Sequence, residues 1–465
     1  MNNVEFDPVD KTRAISADIA AQSANAGCIE RFPPVLTGAI ENPLLRLLQS
    51  QLPELKVKKL LHHRGVPRVD NNDGLSMEQK LLALASLPRA YRPTIDAARF
   101  AQRVVMQMHV SLELRNPQDP RYLRFYYDQA DVMRGGKIKP MPEFLESLTG
   151  AGFLLAGPSG SGKTVFLQRL RALVGERHTK IIGIGDAPAE FIFVPMLILR
   201  WPDCGTLFGL LANLRNALIG ELGCSQTSEN AFANLLGPFG PSAAIATCVF
   251  LNLGLLAVDG MCKQSLYGDP KEILDFIATF KARTGIPTIV CCTYPALQLI
   301  ARGGSKHANF GSLGQEYWDL EPPGANWDAM CTWFWGLGFH AADIHMPEYL
   351  PTMMWGASLG NMRVFAQGFD AILHHAVYEP RFFANAPASE VAYLLGLWLR
   401  MFDEPLMLLK RIQNQKKSEP MPNPTPADLY HADYLPFAAF SGTSRELLET
   451  KPRARADSPV KQKRP

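Results

Sequence analysis

Gly157-Pro158-Ser159-Gly160-Ser161-Gly162-Lys163-Thr164 is the stretch that decides the fold of this 465-residue chain. It satisfies the pattern GxxxxGK[ST] in full, with the apolar run GFLLA (152–156) before it and the helical segment VFLQRLRAL (165–173) after it. A strand, a glycine-rich turn and a helix in that order let backbone N–H groups wrap a phosphate while the helix turns its positive end to the same anion. Lys163 has the reach for the outer phosphates of a nucleoside triphosphate, and the Thr164 hydroxyl suits magnesium. Residues 157–164 are therefore candidates for binding ATP with Mg2+, and a chance glycine-rich turn is the alternative that the flanking strand and helix count against.

A phosphate loop of this kind needs an acid at the end of a neighbouring buried strand to hold magnesium. Leu255-Leu256-Ala257-Val258-Asp259 supplies an apolar run ending in one, so Asp259 joins Thr164 as a candidate metal residue. Asp259-Gly260 also reads as a turn, which keeps a capping aspartate open. The residue after Asp259 is glycine, which cannot act as a base on an attacking water, so weak hydrolysis is expected. Thr293 ends the apolar run 287–292 and is either a sensor of the terminal phosphate or a simple strand-ending threonine. Gly360-Asn361-Met362-Arg363 opens another helical segment, and Arg363 is either a second phosphate sensor or a solvated helix arginine.

Working outward, apolar runs at 152–156, 191–200, 254–258 and 287–292 alternate with helical segments, which predicts an α/β fold with a parallel sheet flanked by helices. The stretch 243–258 reads as a buried helix running into a buried strand, too short and too interrupted to span a membrane. Residues 1–140 read as a helical N-terminal region for DNA or partner binding, 141–325 as the nucleotide-binding domain and 326–417 as a helical lid. Within the lid, 388–415 is interrupted at Pro405. Residues 418–465 read as a flexible, proline-rich basic tail, although an aromatic patch stands at 434–440. The last fifteen residues carry six basic side chains against one acid, so this end could hold DNA or a partner, or only aid solubility. The polar start, MNNVEFDPVDKTR, predicts a cytoplasmic protein with no membrane partner. Eight cysteines without CxxC or zinc spacing suit a reducing compartment, and Cys291-Cys292 reads as core. His62-His63 and His374-His375 lack ligand partners at metal spacing.

The succession of phosphate loop, Asp259 strand, Thr293 strand and GNxR lid helix resembles the AAA+ ATPases, and more narrowly the TnsC/TniB regulators of DNA transposition. FIFVPMLILRWPDCGTLFGLLANLRNAL (191–218), GIPTIVCCTYPAL (285–297) and SLGNMRVFAQGFDAI (358–372) carry the narrower likeness, over roughly residues 125–380. The resemblance implies a bacterial protein that assembles on double-stranded DNA as an ATP-dependent homo-oligomeric ring or filament. It also implies a regulator that links a TniQ/TnsD-like target-selection protein to the transposase. The chain departs from that group at Gly260, and in 301–314, where the paired arginines of an intersubunit finger are missing and only Arg302 or Lys306 could substitute.

If DNA is the partner, its contacts are expected at phosphates. Arg200 and Thr206, in the turn after the second strand, are the candidates, with ordinary surface groups as the alternative. LKVKKLLHHRGVPR (55–68) could hold phosphate or a protein, or be a solvated helix face. The competing functions are a conventional P-loop NTPase or kinase acting on a small molecule, and a nucleotide-dependent signalling switch. No second-substrate site and no repeat or effector domain is recognisable to favour either.

Overall fold

A computed structural model describes residues 42–48, 53–67, 74–133, 140–148, 152–184, 187–223, 232–266, 270–302, 309–341, 343–414 and 431–440. Helices α1 (Glu54–Leu61), α2 (Met77–Leu84), α3 (Ile95–Leu114) and α4 (Pro120–Met133) precede β1 (Gly152–Ala156) and α5 (Lys163–Val174). Next come β2 (Thr179–Ile184), β3 (Ala187–Phe193), β4 (Leu197–Arg200), α6 (Leu207–Leu222), α7 (Gly240–Phe250) and β5 (Leu256–Met261). The sheet is completed through α8 (Pro270–Thr284), β6 (Thr288–Cys292), α9 (Tyr294–Arg302) and β7 (Gly314–Tyr317). The lid comprises α10 (Ala325–Trp335), α11 (Leu350–Ser358), α12 (Met362–Tyr378), α13 (Phe382–Asn385), α14 (Ala388–Trp398) and α15 (Asp403–Asn414).

Five strands form one parallel sheet in the order β4-β5-β6-β1-β7. Alternate side chains of a strand face opposite sides, and β1 divides accordingly. Phe153 and Leu155 pack with Ala257, Ile289 and Cys291 against Phe100, Val104 and Phe166 from α3 and α5. Leu154 and Ala156 pack with Val258, Val290 and Cys292 under residues of α6, α7, α8 and α9. The sheet is thus covered on both faces, the condition under which parallel strands read as unbroken apolar runs. The adjacent Cys291 and Cys292 serve opposite cores. The architecture is an α/β P-loop fold, with a helical region before the sheet and a helical lid after it.

Several expectations need correction. The run 191–200 is two strands, because Pro195 and its neighbours break it: β3 pairs antiparallel with β2 outside the main sheet, and only β4 joins β5. The described part of the N-terminal region is no separate body. Val57, Leu61 and the inner face of α3 belong to one of the sheet's two cores, while Val66, Leu84 and Leu87 pack into the lid core beside Trp327 and Phe365. Pro405 does not interrupt the lid helix; it lies in the first turn of α15, where its missing N–H has no helical partner to lose. The break falls at 399–402 instead, where Arg400–Phe402 form a 3-10 turn. Among the described residues no helix is long and apolar enough to cross a membrane.

The expected flexible tail is corrected for residues 431–440; its other parts lie outside the described residues. Ala432–Tyr434 and Phe437–Phe440 form short 3-10 turns. Ala432, Leu435 and Ala439 are buried in a cluster with Leu359, Leu408 and Leu409 of the lid. Phe437 sets its ring 5.4 Å from Tyr294 and 5.6 Å from Tyr317. A fully buried leucine truncated to alanine costs about 2–5 kcal/mol. Leu435→Ala is therefore expected to lower the stability of the full chain by about 2–4 kcal/mol in urea titrations; a midpoint unchanged from the parent would show that the segment contributes nothing to folding.

Candidate functional site

The carboxyl ends of β1, β6 and β5 lie side by side, because β6 is hydrogen-bonded between the other two. Gly157 donates its N–H to the Cys292 carbonyl at 3.1 Å, and Thr293 donates its own to the Met261 carbonyl at 2.9 Å. The phosphate loop, Thr293 and Asp259 are brought together in this way, as parallel α/β sheets do with ligand-binding loops.

In the loop, Gly160 (φ +85°) and Gly162 (φ +92°) adopt left-handed backbone that side-chain-bearing residues avoid. Gly162 leads directly into α5, which starts at Lys163. The Lys163 ammonium donates to the Gly157 and Pro158 carbonyls, both at 2.8 Å, and to Ser161 Oγ at 3.2 Å. Burial lowers the pKa of Lys163, and the Cys291 and Cys292 thiols together with the Asp259 and Asp433 carboxylates oppose that shift. Thr164 Oγ1 donates to Asp259 Oδ2 at 2.7 Å, so the two candidate metal residues present adjacent oxygens. Asp259 is buried near the end of β5.

Gly260 stands at φ +89°, inside the register shift between Val258 and Met261. The residue is therefore dictated by the backbone of a β-bulge, and a glutamate there would be strained whatever space it had. The missing acid is a consequence of local geometry as well as of sequence.

The lid reaches the same loop. Leu359 (φ +51°) and Gly360 (φ +81°) turn the chain sharply out of α11. Asn361 then caps α12, its Oδ1 accepting from the N–H groups of Arg363 and Val364, while its Nδ2 donates to the Ser159 carbonyl at 2.8 Å. The Arg363 N–H donates to the Gly160 carbonyl at 3.0 Å. A Cβ on Gly160 would run into Asn361 Oδ1 and Arg363 Cβ, so that glycine is required twice over. The Arg363 side chain itself is exposed, with its guanidinium over the Phe402 ring at 5.8 Å. What the GNMR motif brings onto the loop is therefore Asn361 and the backbone of Arg363.

Asp433 completes the site, and the sequence reading missed it. Its carboxylate accepts the Thr293 hydroxyl and, at 2.9 Å, the Lys263 N–H, and its main-chain carbonyl accepts the Ser159 N–H at 2.6 Å. Burial pushes the Asp433 carboxyl above the usual carboxylate range, against which the donors from Lys263, Thr293 and Gln264 pull. The one available signal was the apolar and aromatic run around 432–440, out of place in a polar tail.

The other candidates lie elsewhere. Arg200, at the exposed end of β4, is in register with Asp259. Thr206 caps α6, its hydroxyl accepting from the Gly209 N–H. The 55–68 cluster forms α1 and a following turn, and His63 enters a cleft of ≈ 790 Å³ with Arg89, Arg169, Arg177 and His178. The side chain of Arg302, the last residue of α9, and all of Lys306 and Arg68 lie outside the described residues.

No protein-family model matches the sequence, and no curated protein matches it either. Among solved structures it matches the Aeropyrum pernix ORC2 protein, solved as ADPNP–ADP complexes, at 12% identity and a TM-score of 0.35, over 62% of this chain and 73% of that one. A likeness that remote says nothing of activity or partners. The fold and the site by themselves define an α/β P-loop protein.

Asn361 tests the coupling of lid to loop. Asn361→Asp keeps an acceptor for the helix cap but sets a carboxylate oxygen against the Ser159 carbonyl. Leaving that partly buried carbonyl without its donor is expected to cost about 1–2 kcal/mol. Thermal and urea denaturation check this, and equal stability of variant and parent would detach the lid from the loop.

Proposed function

We propose that this chain is an AAA+ regulator of DNA transposition that binds ATP and magnesium. In this reading it assembles as a ring or filament on double-stranded DNA and joins a target-selection protein to the transposase. The observation that carries the nucleotide half is the convergence of Gly157–Thr164, Asp259 and Thr293 at one end of the parallel sheet. The residues suit the ligand: left-handed glycines leave loop N–H groups room to face an anion, and Lys163 carries a positive charge to the loop. Thr164 and Asp259 would hold magnesium, which when bound supplies charge neutralisation across the outer phosphates. Thr293 would donate to the terminal phosphate. Arg363 would act as a sensor only if its side chain left Phe402.

The transposition half rests on the TnsC/TniB-like segments 191–218, 285–297 and 358–372. A regulator of that kind acts through its assembly and needs little turnover. Gly260, held at a bulge without a water-activating carboxylate, agrees with that role. For DNA, the Thr206 hydroxyl accepts the Gly209 N–H at the α6 cap while its O–H is still a donor, so Arg200 and Thr206 both stay candidate phosphate contacts, Arg200 bringing the charge. The cleft lined by Arg89, Arg169, Arg171 and Arg177, with Glu176 and Glu221 among them, is a second surface open to a phosphate backbone.

Negative-stain electron microscopy with double-stranded DNA, with and without ATP and magnesium, is the direct test. Rings or filaments that need both ligands are expected, together with slow phosphate release; a monomer indifferent to DNA but turning over ATP would end the transposition reading. Lys163→Ala is expected to abolish ATP binding and Asp259→Asn to weaken its magnesium-dependent part, whereas normal binding by both would misplace the site.

Replacing one phosphate-contacting arginine lowers the slope of log affinity against log salt by about one. Arg200→Ala is expected to do this. An unchanged slope for Arg200→Ala, with the loss appearing in Arg177→Ala, would move the DNA to the cleft.

A further inference from the structure

The segment 431–440 makes two kinds of contact. Its apolar residues fill the lid cluster, which is ordinary packing. Its polar groups do something packing does not require: they place a carboxylate, only 4% exposed, among the donors of the phosphate site. Thr293 directs its hydroxyl, and Lys263 its N–H, to Asp433 Oδ1, while Ser159 in the loop gives its N–H to the Asp433 carbonyl. On the nucleotide reading, which this inference rests on, Thr293 and the loop N–H groups are the donors a terminal phosphate would take.

We propose that residues 431–440 form a built-in competitor of the terminal phosphate, with Asp433 standing in for it, so that a nucleoside triphosphate binds only as this segment leaves the loop. Both anions call on the Thr293 hydroxyl, and two negative groups brought to one buried place repel strongly. A nucleoside diphosphate makes no such demand and binds with Asp433 in place. Among the described residues the segment is held by the Asp433 bonds, three small or aliphatic side chains, the Phe437 ring between Tyr294 and Tyr317, a contact of His431 Nε2 with Glu404 Oε2 at 2.8 Å, and a bond from the Phe437 N–H to Asp319 Oδ2 at 3.3 Å. It is thus sufficiently anchored to compete and small enough to be displaced.

Hydrogen–deuterium exchange of the full chain tests this with magnesium plus ADP or the slowly hydrolysed analogue ATPγS. Amides in 431–440 are expected to lose protection with ATPγS and to keep it with ADP. Asp433→Ala and the near-isosteric Asp433→Asn should each bind ATPγS more tightly by roughly ten- to a hundredfold, the worth of a charge-assisted hydrogen bond, with ADP affinity changed far less. If ATPγS saturates the protein and 431–440 stays protected, or if both variants keep the parent's ratio of ATPγS to ADP affinity, the competitor is overturned while nucleotide binding stands. If neither parent nor variants bind any nucleotide, the nucleotide reading itself fails and takes the competitor with it. The exchange measurement on the parent protein decides the matter even where a variant does not fold.

Discussion

Gly157 gives its N–H to the Cys292 carbonyl, and one residue further on Thr293 gives its own to the Met261 carbonyl. These two bonds continue the parallel ladder just past the ends of the strands, so three chain segments turn away from the sheet at the same height. Everything that meets there depends on that register. A slip of one residue in β6 would exchange Cys291 with Cys292 between the two cores and carry Thr293 out from between the loop and Asp259. Burial of both sheet faces is what forbids the slip, so packing far from the site fixes the geometry within it.

The parts legible in the sequence are those whose signal is local. The phosphate loop announces itself because glycine, lysine and threonine are needed at fixed spacing, and Asp259 follows from an apolar run that must end in an acid. β1, β5 and β6 are central and read as unbroken apolar segments. β7 was hidden because this edge strand alternates half-buried with exposed residues and buries none fully, so GQEY looks like loop. The antiparallel β2–β3 pair was hidden for a related reason, since TKIIGI carries little beyond one short apolar stretch and its partner was read as part of a longer strand. Asp433 was hidden most completely. Its contacts with Lys263 and Thr293 join residues 170 and 140 positions apart, and no periodicity near 433 can reveal them.

Gly260 shows how a missing residue can be misread when only the sequence is in view. In the sequence it is the absence of a glutamate; in the structure it is a left-handed residue inside a bulge. Those two facts are linked, because a backbone that bends at φ +89° lets β5 continue to Met261, whose carbonyl then anchors Thr293. Restoring a side chain would disturb the strand that anchors Thr293. The carboxylate nearest to Thr293 comes instead from a segment far along the chain, and it meets the hydroxyl as an acceptor.

Ser159 is where these influences join. Its N–H is taken by the Asp433 carbonyl and its carbonyl by Asn361 Nδ2, while the next carbonyl, on Gly160, is taken by the Arg363 N–H. The C-terminal segment and the lid therefore both grip Ser159, one at its N–H and the other at its carbonyl, and the lid holds Gly160 as well. Leu359, beside the sharp turn that delivers Asn361, also packs in one cluster with Leu435. A shift of the loop on either side reaches the other through Ser159, whose N–H and carbonyl sit on neighbouring peptide planes separated only by its own two backbone dihedrals. Coupling between lid and C-terminal segment thus needs no long path through the protein; it requires only that one short, stiff turn be shared.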